Sequence, residues 1–219
     1  MEDHRMEDHR TDRLSVLLDQ LGWARKIAQA RLDGLASPAS LPEGAPLPRR
    51  TGDGPLTDEE YLWEPAPGAW SIRRRGEAAS RRPFGSGEWQ LDDAEGDPDP
   101  TPVTTIAWRL GHLHSCFAGD WEWTFGERRR PPEQLVDFSP SAAVALERFW
   151  VTMDSWRDSV AAVTPEQLDT VGFDQYPRSS APEEPFINVI ASANIEFIHH
   201  MAEIALLRDP YRARPTGTR

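Results

Sequence analysis

Cysteine, positive charge and long apolar runs are all scarce in this 219-residue chain. The single cysteine, Cys116, excludes an intramolecular disulfide, so we expect a cytoplasmic protein. The formal net charge of −12 argues against nucleic-acid binding, which needs a cationic surface. No apolar run approaches the roughly 20 residues of a membrane helix. The N-terminal MEDHRMEDHR, a repeat of MEDHR, lacks the apolar core of a signal peptide. We therefore expect neither nucleic acid nor a membrane as a partner.

Several catalytic motifs are absent as well. The chain has no phosphate loop, GxGxxG, nucleophile elbow or HExxH, and EFIHH has the wrong order for the last of these. Hydrophobic residues make up only 38%, beside 20 prolines and 15 glycines, so the apolar residues must be concentrated in a few segments. The length suits one domain with a large insertion. We place a disordered tail at residues 1–10 and a single domain at residues 11–212.

The apolar periodicity predicts four long helices, with apolar residues at i, i+3, i+4 and i+7. The third helix is expected to open with Ser139 as its cap and Pro140 at its first position. Asp209 and Pro210 should end the last one. A short extra helix should begin at Thr164. The other predicted bounds are about 11–35 for the first helix, 102–126 for the second and 185–208 for the last.

Residues 36–102 form a long insertion between the first two helices, rich in proline, glycine and charge. Within it, LTDEEYLW predicts one or two helical turns capped by Thr57. The insertion either lies over the bundle or is partly mobile, since so long an irregular segment is unusual in a compact domain. Its candidate anchors are apolar: Leu62, Trp63, Trp70, Phe84 and Trp89.

The connection at residues 127–139 bears on topology. Fully extended, its thirteen residues reach roughly 43 Å, enough to run back along a helix. A parallel arrangement of the second and third helices is therefore possible, although periodicity alone leaves simple up-and-down topology open.

Two apolar helices carry polar side chains that can bind metal. Glu196 and His200 are four residues apart, so they share one helical face, with Glu203 continuing the stripe. His112 lies on the second helix. Convergence of His112, Glu196 and His200 would make a two-histidine, one-carboxylate metal site with open positions. On periodicity alone, a solvated face is the favoured interpretation of the stripe on the last helix.

Other reactive or aromatic residues have simpler interpretations. His114 faces another direction than His112 and is expected at the surface or against a loop. Cys116, one turn after His112, is interpreted first as a core thiol, with a fourth ligand or a reactive thiol as the alternatives. The arginines at 73–75 and 81–82 fit a solvated loop or an anion contact. Tryptophans that form either core or an aromatic pocket are Trp63, Trp70, Trp108, Trp121, Trp123, Trp150 and Trp156.

Five phrases carry a family resemblance, and they occur in the family's order. They are LTDEEYLWEP (56–65), AWSI (69–72), TTIAWRLGHL (104–113), EWTFG (122–126) and FIHHMAEIALLRD (197–209). The chain resembles the DinB/YfiT-like superfamily, and more narrowly its actinobacterial DinB-like members. The resemblance implies an all-α, four-helix bundle in up-down-down-up order, with a long insertion between helices one and two.

The same resemblance implies a ligand set. Family members commonly carry one histidine on helix two and a His-x3-His pair on helix four, which bind a divalent metal. Here the matching positions are His112, Glu196 and His200, with glutamate where the pattern usually has histidine. The carboxylate suits iron or manganese better than three histidines would, and zinc or nickel stays open. A shared ion requires donor atoms within roughly 3–4.5 Å of one another. Glu203 would orient a ligand or act as the catalytic base.

Characterised relatives include S-transferases and isomerases that use mycothiol or bacillithiol. In that chemistry the metal binds the thiol and lowers its pKa. We therefore expect a metal-dependent enzyme that acts on a small-molecule substrate with a thiol cofactor, as a thiol-dependent S-transferase does. The alternative is a non-catalytic bundle that binds a small apolar ligand or forms a homodimer through its helix faces.

Overall fold

The computed structural model describes residues 3–32, 54–94, 102–177 and 183–214. Within these ranges the chain forms six helices and one two-stranded sheet, which confirms the all-α class. The helices are α1 (Asp3–Leu32), α2 (Asp58–Leu62), α3 (Ile106–Thr124), α4 (Ala142–Ala161), α5 (Pro165–Leu168) and α6 (Phe186–Arg212). The strands are β1 (Ile72–Arg74) and β2 (Trp89–Leu91), and a 3-10 turn spans Pro132–Gln134.

The second and third long helices, α3 and α4, run parallel. His114 Nε2 lies 3.0 Å from Thr152 Oγ1, and Trp121 Nε1 donates to Ser159 Oγ at 3.0 Å. Both contacts join residues 38 positions apart, and a constant offset of this kind requires parallel axes. The connection after α3 therefore runs back along the bundle.

The outer pair, α1 and α6, is also parallel. Asn194 donates to the carbonyl of Leu17, and Arg208 donates to the carbonyl of Arg31, both at an offset of 177. In contrast, α3 and α6 are antiparallel, since Phe117 contacts Phe197 near their middles and Phe125 contacts Phe186 at their ends. Together these directions confirm the up-down-down-up order.

Aromatic rings fill the centre of the bundle. The fully buried Trp156, Phe117, Phe149, Phe186 and Phe197 meet mostly edge to face across three helices. Such pairs add specific geometry to the burial of apolar area. Trp150 and Trp156 are therefore core residues. Among the helices described, none is long and apolar enough to span a bilayer.

Three helix starts differ from the prediction. The first helix begins at Asp3 rather than near Thr11, because no proline or glycine interrupts that stretch. The division into a tail at 1–10 and one domain at 11–212 stays a prediction. The N-cap of α3 is Thr105, whose hydroxyl accepts from Trp108 N–H, so the helix starts after Pro102. For α4, the first N–H belongs to Ala142 and donates to the Asp58 carboxylate at 2.7 Å, rather than to a cap at Ser139.

The end of the last helix also differs. Pro210 was expected to stop α6, but it lies inside the final turn, and the helix ends at Arg212. A proline this close to the end disturbs only the last turn. In the middle of a helix, a proline removes a backbone hydrogen bond and clashes with the preceding turn. By contrast, the capping box at Thr164 and the cap at Thr57 are confirmed.

The described part of the insertion packs on the bundle and contains the small sheet, which was not predicted. Its strands pair antiparallel, with Ile72 opposite Leu91. The fully buried carboxylate of Asp92 accepts the backbone N–H groups of Ser71, Ala79 and Ser80. These bonds tie the hairpin together at its base. Residues 33–53 and 95–101 lie outside the described residues.

Two of the candidate anchors of the insertion, Trp63 and Trp70, contact two different helices. The Trp63 ring centroid lies 5.7 Å from that of Tyr211 on α6, and the Trp70 centroid lies 6.3 Å from that of Trp108 on α3. The backbone of Trp70 also bonds both Val103 and Thr105, at the start of α3. The insertion therefore holds the N-terminal end of α3.

A buried ion pair joins the insertion to α6. Glu60 and Arg208 are each 2% exposed, and Arg208 Nε and Nη2 lie 2.8 and 3.0 Å from the two Glu60 oxygens. Arg208 also donates to the carbonyls of Arg31 and Gly54. The bidentate geometry and the extra acceptors offset the cost of desolvating both charges.

Candidate metal centre

His112, Glu196 and His200 converge between the antiparallel helices α3 and α6. Each offers one ligand atom, and these atoms all lie within 4.8 Å of one another. Glu196 Oε2 lies 3.7 Å from His112 Nε2 and 3.3 Å from His200 Nε2, so one carboxylate oxygen is shared by both imidazoles. The group as a whole is slightly wider than the predicted 3–4.5 Å.

The helical register explains this convergence. Glu196 and His200 are one turn apart on α6, beside the buried stripe of Phe197, Met201 and Ile204 that fixes the helix against the core. His200 is buried, whereas 47% of the Glu196 side chain is exposed. The cluster is therefore closed on the side of the core and open toward solvent on the side of Glu196.

The outer nitrogen of His200 has its own partner. Nδ1 lies 2.7 Å from Glu203 Oε2, and Glu203 forms an ion pair with Arg109 of α3. Because an ionised carboxylate can only accept, Nδ1 donates to Glu203, and Nε2 is the ring nitrogen directed at Glu196. Such a partner fixes the tautomer and the ring orientation of a ligating histidine.

Arg109 was missed in the sequence, although its position carries a signal. It precedes His112 by three residues, so both lie on one face of α3. Its Nη1 lies 3.3 Å from His200 Nδ1 in addition to pairing with Glu203. Burial lowers the pKa of Arg109, and the charge of Glu203 opposes that shift.

The imidazole of His112 is held between two rings. It stacks on Trp108 with ring centroids 5.1 Å apart and an interplanar angle of 6°, and it meets His200 edge to face at 4.8 Å. Trp108 is itself fixed, since its Nε1 donates to the Asp92 carbonyl at 2.8 Å. The hairpin of the insertion thus supports His112 through Trp108.

Contacts within and beside the cluster shift the pKa values of Glu196 and His112. Hydrogen bonds from His112 and His200 hold the pKa of Glu196 well below its usual range. Burial lowers the pKa of His112, but the charge of Cys116 and hydrogen bonds to Cys116 and Glu196 outweigh it and raise the pKa to about 9. Glu196 is therefore anionic at neutral pH, and a bound cation would displace the proton from His112.

The neighbouring histidines lie outside the cluster, for different reasons. His114 does not face the surface or a loop, as we expected, but packs between α3 and α4 beside Thr152 and Phe149. Burial and then the charge of Arg148 lower the pKa of His114 to about 4. The side chain of His199 is 62% exposed; it stacks on the ring of His200 with centroids 5.2 Å apart and lies 3.4 Å from Glu203 Oε1.

Cys116 lies beside the cluster. Its Sγ is 3.6 Å from His112 Nε2, and the residue is half-buried, which differs from a sealed core thiol. Farther along the same face of α3, burial and the charges of Asp174 and Glu196 raise the pKa of Asp120 well above its usual range. Asp120 and Asp174 were not identified in the sequence.

The arginine cluster of the insertion is largely engaged within the insertion itself. Arg73 pairs with Glu64 and Asp92, and Arg75 donates to the carbonyls of Gly85 and Gly87. These contacts favour a structural role for Arg73 and Arg75.

The residues present fit a divalent ion. Two imidazoles and a carboxylate are the donors of zinc and of non-haem iron or manganese sites. Two ligands about 2.1 Å from an ion at a tetrahedral angle lie about 3.4 Å apart. The distances of 3.3 and 3.7 Å at Glu196 Oε2 fall on either side of that value.

Comparison with known families matches the model of the DinB superfamily to residues 79–204, more than half of the chain. The matched region includes the whole cluster of His112, Glu196 and His200. Neither the curated proteins nor the solved structures include a match. By its matching family model and its helical fold, the chain belongs to the DinB superfamily.

Proposed function

We propose that the protein is a divalent-metal-dependent enzyme whose ion is held by His112 Nε2, the Glu196 carboxylate and His200 Nε2. The observation that supports this most is the convergence of these three donors within 4.8 Å. The hydrogen bond from His200 Nδ1 to Glu203 supports it further, because it presents the other ring nitrogen for coordination.

The finer proposal concerns the reaction. We infer a thiol-dependent S-transferase that uses a mycothiol-type thiol and a small-molecule substrate in the cytoplasm. In this chemistry the bound metal lowers the pKa of the thiol and presents it as a thiolate. The support is the resemblance to characterised thiol-dependent relatives, together with a cluster that is open to solvent beside Glu196.

Within this proposal, Glu203 positions His200 rather than accepting a proton from substrate. Its Oε2 is engaged by His200 and by Arg109, and its Oε1 lies 3.4 Å from His199. Both oxygens therefore face groups of the chain itself, which favours a positioning role. A base for the reaction would need a free lone pair directed at the substrate.

A second candidate is a non-catalytic bundle that associates through helix faces, and exposed apolar side chains favour it. They lie on the neighbouring helices α1 and α6. Exposed apolar patches of this kind are typical of interaction surfaces, because association removes them from water. The side chains are Val16, Trp23 and Ile27 on α1, and Ile195, Ile198 and Leu206 on α6. Metal content separates this candidate from the enzyme.

The decisive experiment is elemental analysis of the full chain purified without chelator. The parent should retain a stoichiometric ion, and Glu196→Ala and His200→Ala should each lose it, because one of three donors is gone. Glu147→Ala is the control, since it removes an exposed carboxylate from α4, a helix that supplies none of the three donors. Retention of the ion by both site variants would overturn the site assignment and favour the second candidate.

Circular dichroism of the same variants tests whether the metal is structural. The four long helices bury a continuous aromatic core, so we expect helicity to persist without the ion. Unfolding of Glu196→Ala and His200→Ala would identify a structural metal and remove the main support for catalysis.

A further inference from the structure

Cys116 is a potential donor that the three-residue cluster leaves out. It follows His112 by one turn on the same face of α3, and its Sγ lies 3.6 Å from His112 Nε2. We propose that Cys116 Sγ is a fourth protein donor to the metal ion, beside His112, Glu196 and His200. This inference rests on the metal centre of the proposed function.

The first argument is the distance. A sulfur about 2.3 Å and a nitrogen about 2.1 Å from the same ion lie about 3.6 Å apart at a tetrahedral angle. The observed separation of Sγ and Nε2 is 3.6 Å. The two atoms are therefore already spaced as neighbouring ligands of one ion would be.

The second argument is that His112 Nε2 faces two acceptor groups at once. Cys116 Sγ lies 3.6 Å away, a normal separation for an N–H···S contact, and Glu196 Oε2 lies 3.7 Å away, longer than the roughly 2.9 Å that an N–H···O bond prefers. One ring proton can point at only one of them. A cation between the groups would attract all three.

The third argument is charge. The anionic donors Glu196 and Cys116, with two neutral imidazoles, would balance a divalent ion completely. A bound metal ion deprotonates a coordinating thiol. A thiolate donor also shifts the preference of the site from manganese toward softer ions such as zinc.

The test is cobalt(II) substitution of the full chain, since a thiolate bound to cobalt gives a charge-transfer absorption in the near ultraviolet that nitrogen and oxygen donors do not. The parent should show this band. Cys116→Ser and Cys116→Ala should lose it and bind the ion at least about tenfold more weakly, because a direct donor should matter no less than the partners that orient donors. Ala118→Ser, two residues along the same helix, is the control that should keep the band.

The outcomes separate this inference from the proposed function. Cobalt binding without a thiolate band would overturn the role of Cys116 and leave the three-donor centre standing. Failure of the parent to bind cobalt would overturn the metal centre itself.

A second measurement needs no variant. Because Cys116 is the single cysteine, alkylation by iodoacetamide reports on it alone. Cobalt should slow the alkylation of the folded parent, since a coordinated sulfur is a poorer nucleophile than a free thiolate. An unchanged alkylation rate after cobalt loading would also overturn the inference.

Discussion

Glu203 Oε2 lies 2.7 Å from His200 Nδ1, one turn apart on α6. A single helical segment therefore supplies a candidate metal donor and the group that fixes its tautomer. Arg109 reaches across from α3 to neutralise the carboxylate. The orientation of His200 thus depends on two helices.

Glu203→Gln should weaken metal affinity by about 10–100-fold without abolishing it, because the amide keeps an acceptor but loses the charge that holds the Nδ1 proton. Competition with a chromophoric chelator measures the change. Glu147→Gln, an exposed position on α4, should bind as the parent does. Parent-like affinity of Glu203→Gln would mean that other groups set the tautomer of His200.

Glu60→Gln should lower the free energy of unfolding by about 3–5 kcal/mol, since it leaves the buried guanidinium of Arg208 without a counter-charge. The control is Glu88→Gln, which removes a partner from the exposed pair with Arg74 and should cost at most about 1 kcal/mol. Urea denaturation of both variants gives the comparison. Small and equal losses of unfolding free energy in the two variants would contradict a buried ion pair between Glu60 and Arg208.

Gly119→Ala should destabilise the bundle by about 1–3 kcal/mol, because a Cβ there would lie only 2.6 Å from Cε2 of Tyr176. The same change at Gly22, where nothing lies within 4 Å, should stabilise α1 by about 0.5–1 kcal/mol. Thermal unfolding measures both. In a Tyr176→Ala background, Gly119→Ala should destabilise the bundle less. An unchanged loss of stability in that background would mean that the new Cβ clashes with a residue other than Tyr176.

The long helices could be predicted because their cores repeat with the helical period, as the buried stripe of α6 illustrates. The small sheet could not, since each strand has three residues and β1 carries two arginines. The start of α4 depends on Asp58, which is 84 residues earlier in the chain. Contacts of this kind have no local signature.

Part of the candidate metal centre could be predicted from the sequence. The spacing of Glu196 and His200 placed both on one face, and the family resemblance added His112. The pairing of Arg109 with Glu203 depends on the register between α3 and α6, which no pattern within either helix specifies. The same holds for His114, whose position between helices follows from the parallel packing of α3 and α4.

The support of His112 by Trp108 and the Asp92 carbonyl has a consequence for protein engineering. The bundle helices alone are not the smallest unit that could carry this centre, because the hairpin around residues 69–92 sets the ring against which His112 stacks. A trimmed scaffold that replaces the insertion with a short linker would keep every candidate donor yet leave one of them free to rotate. Designs based on this chain should treat the hairpin as part of the centre.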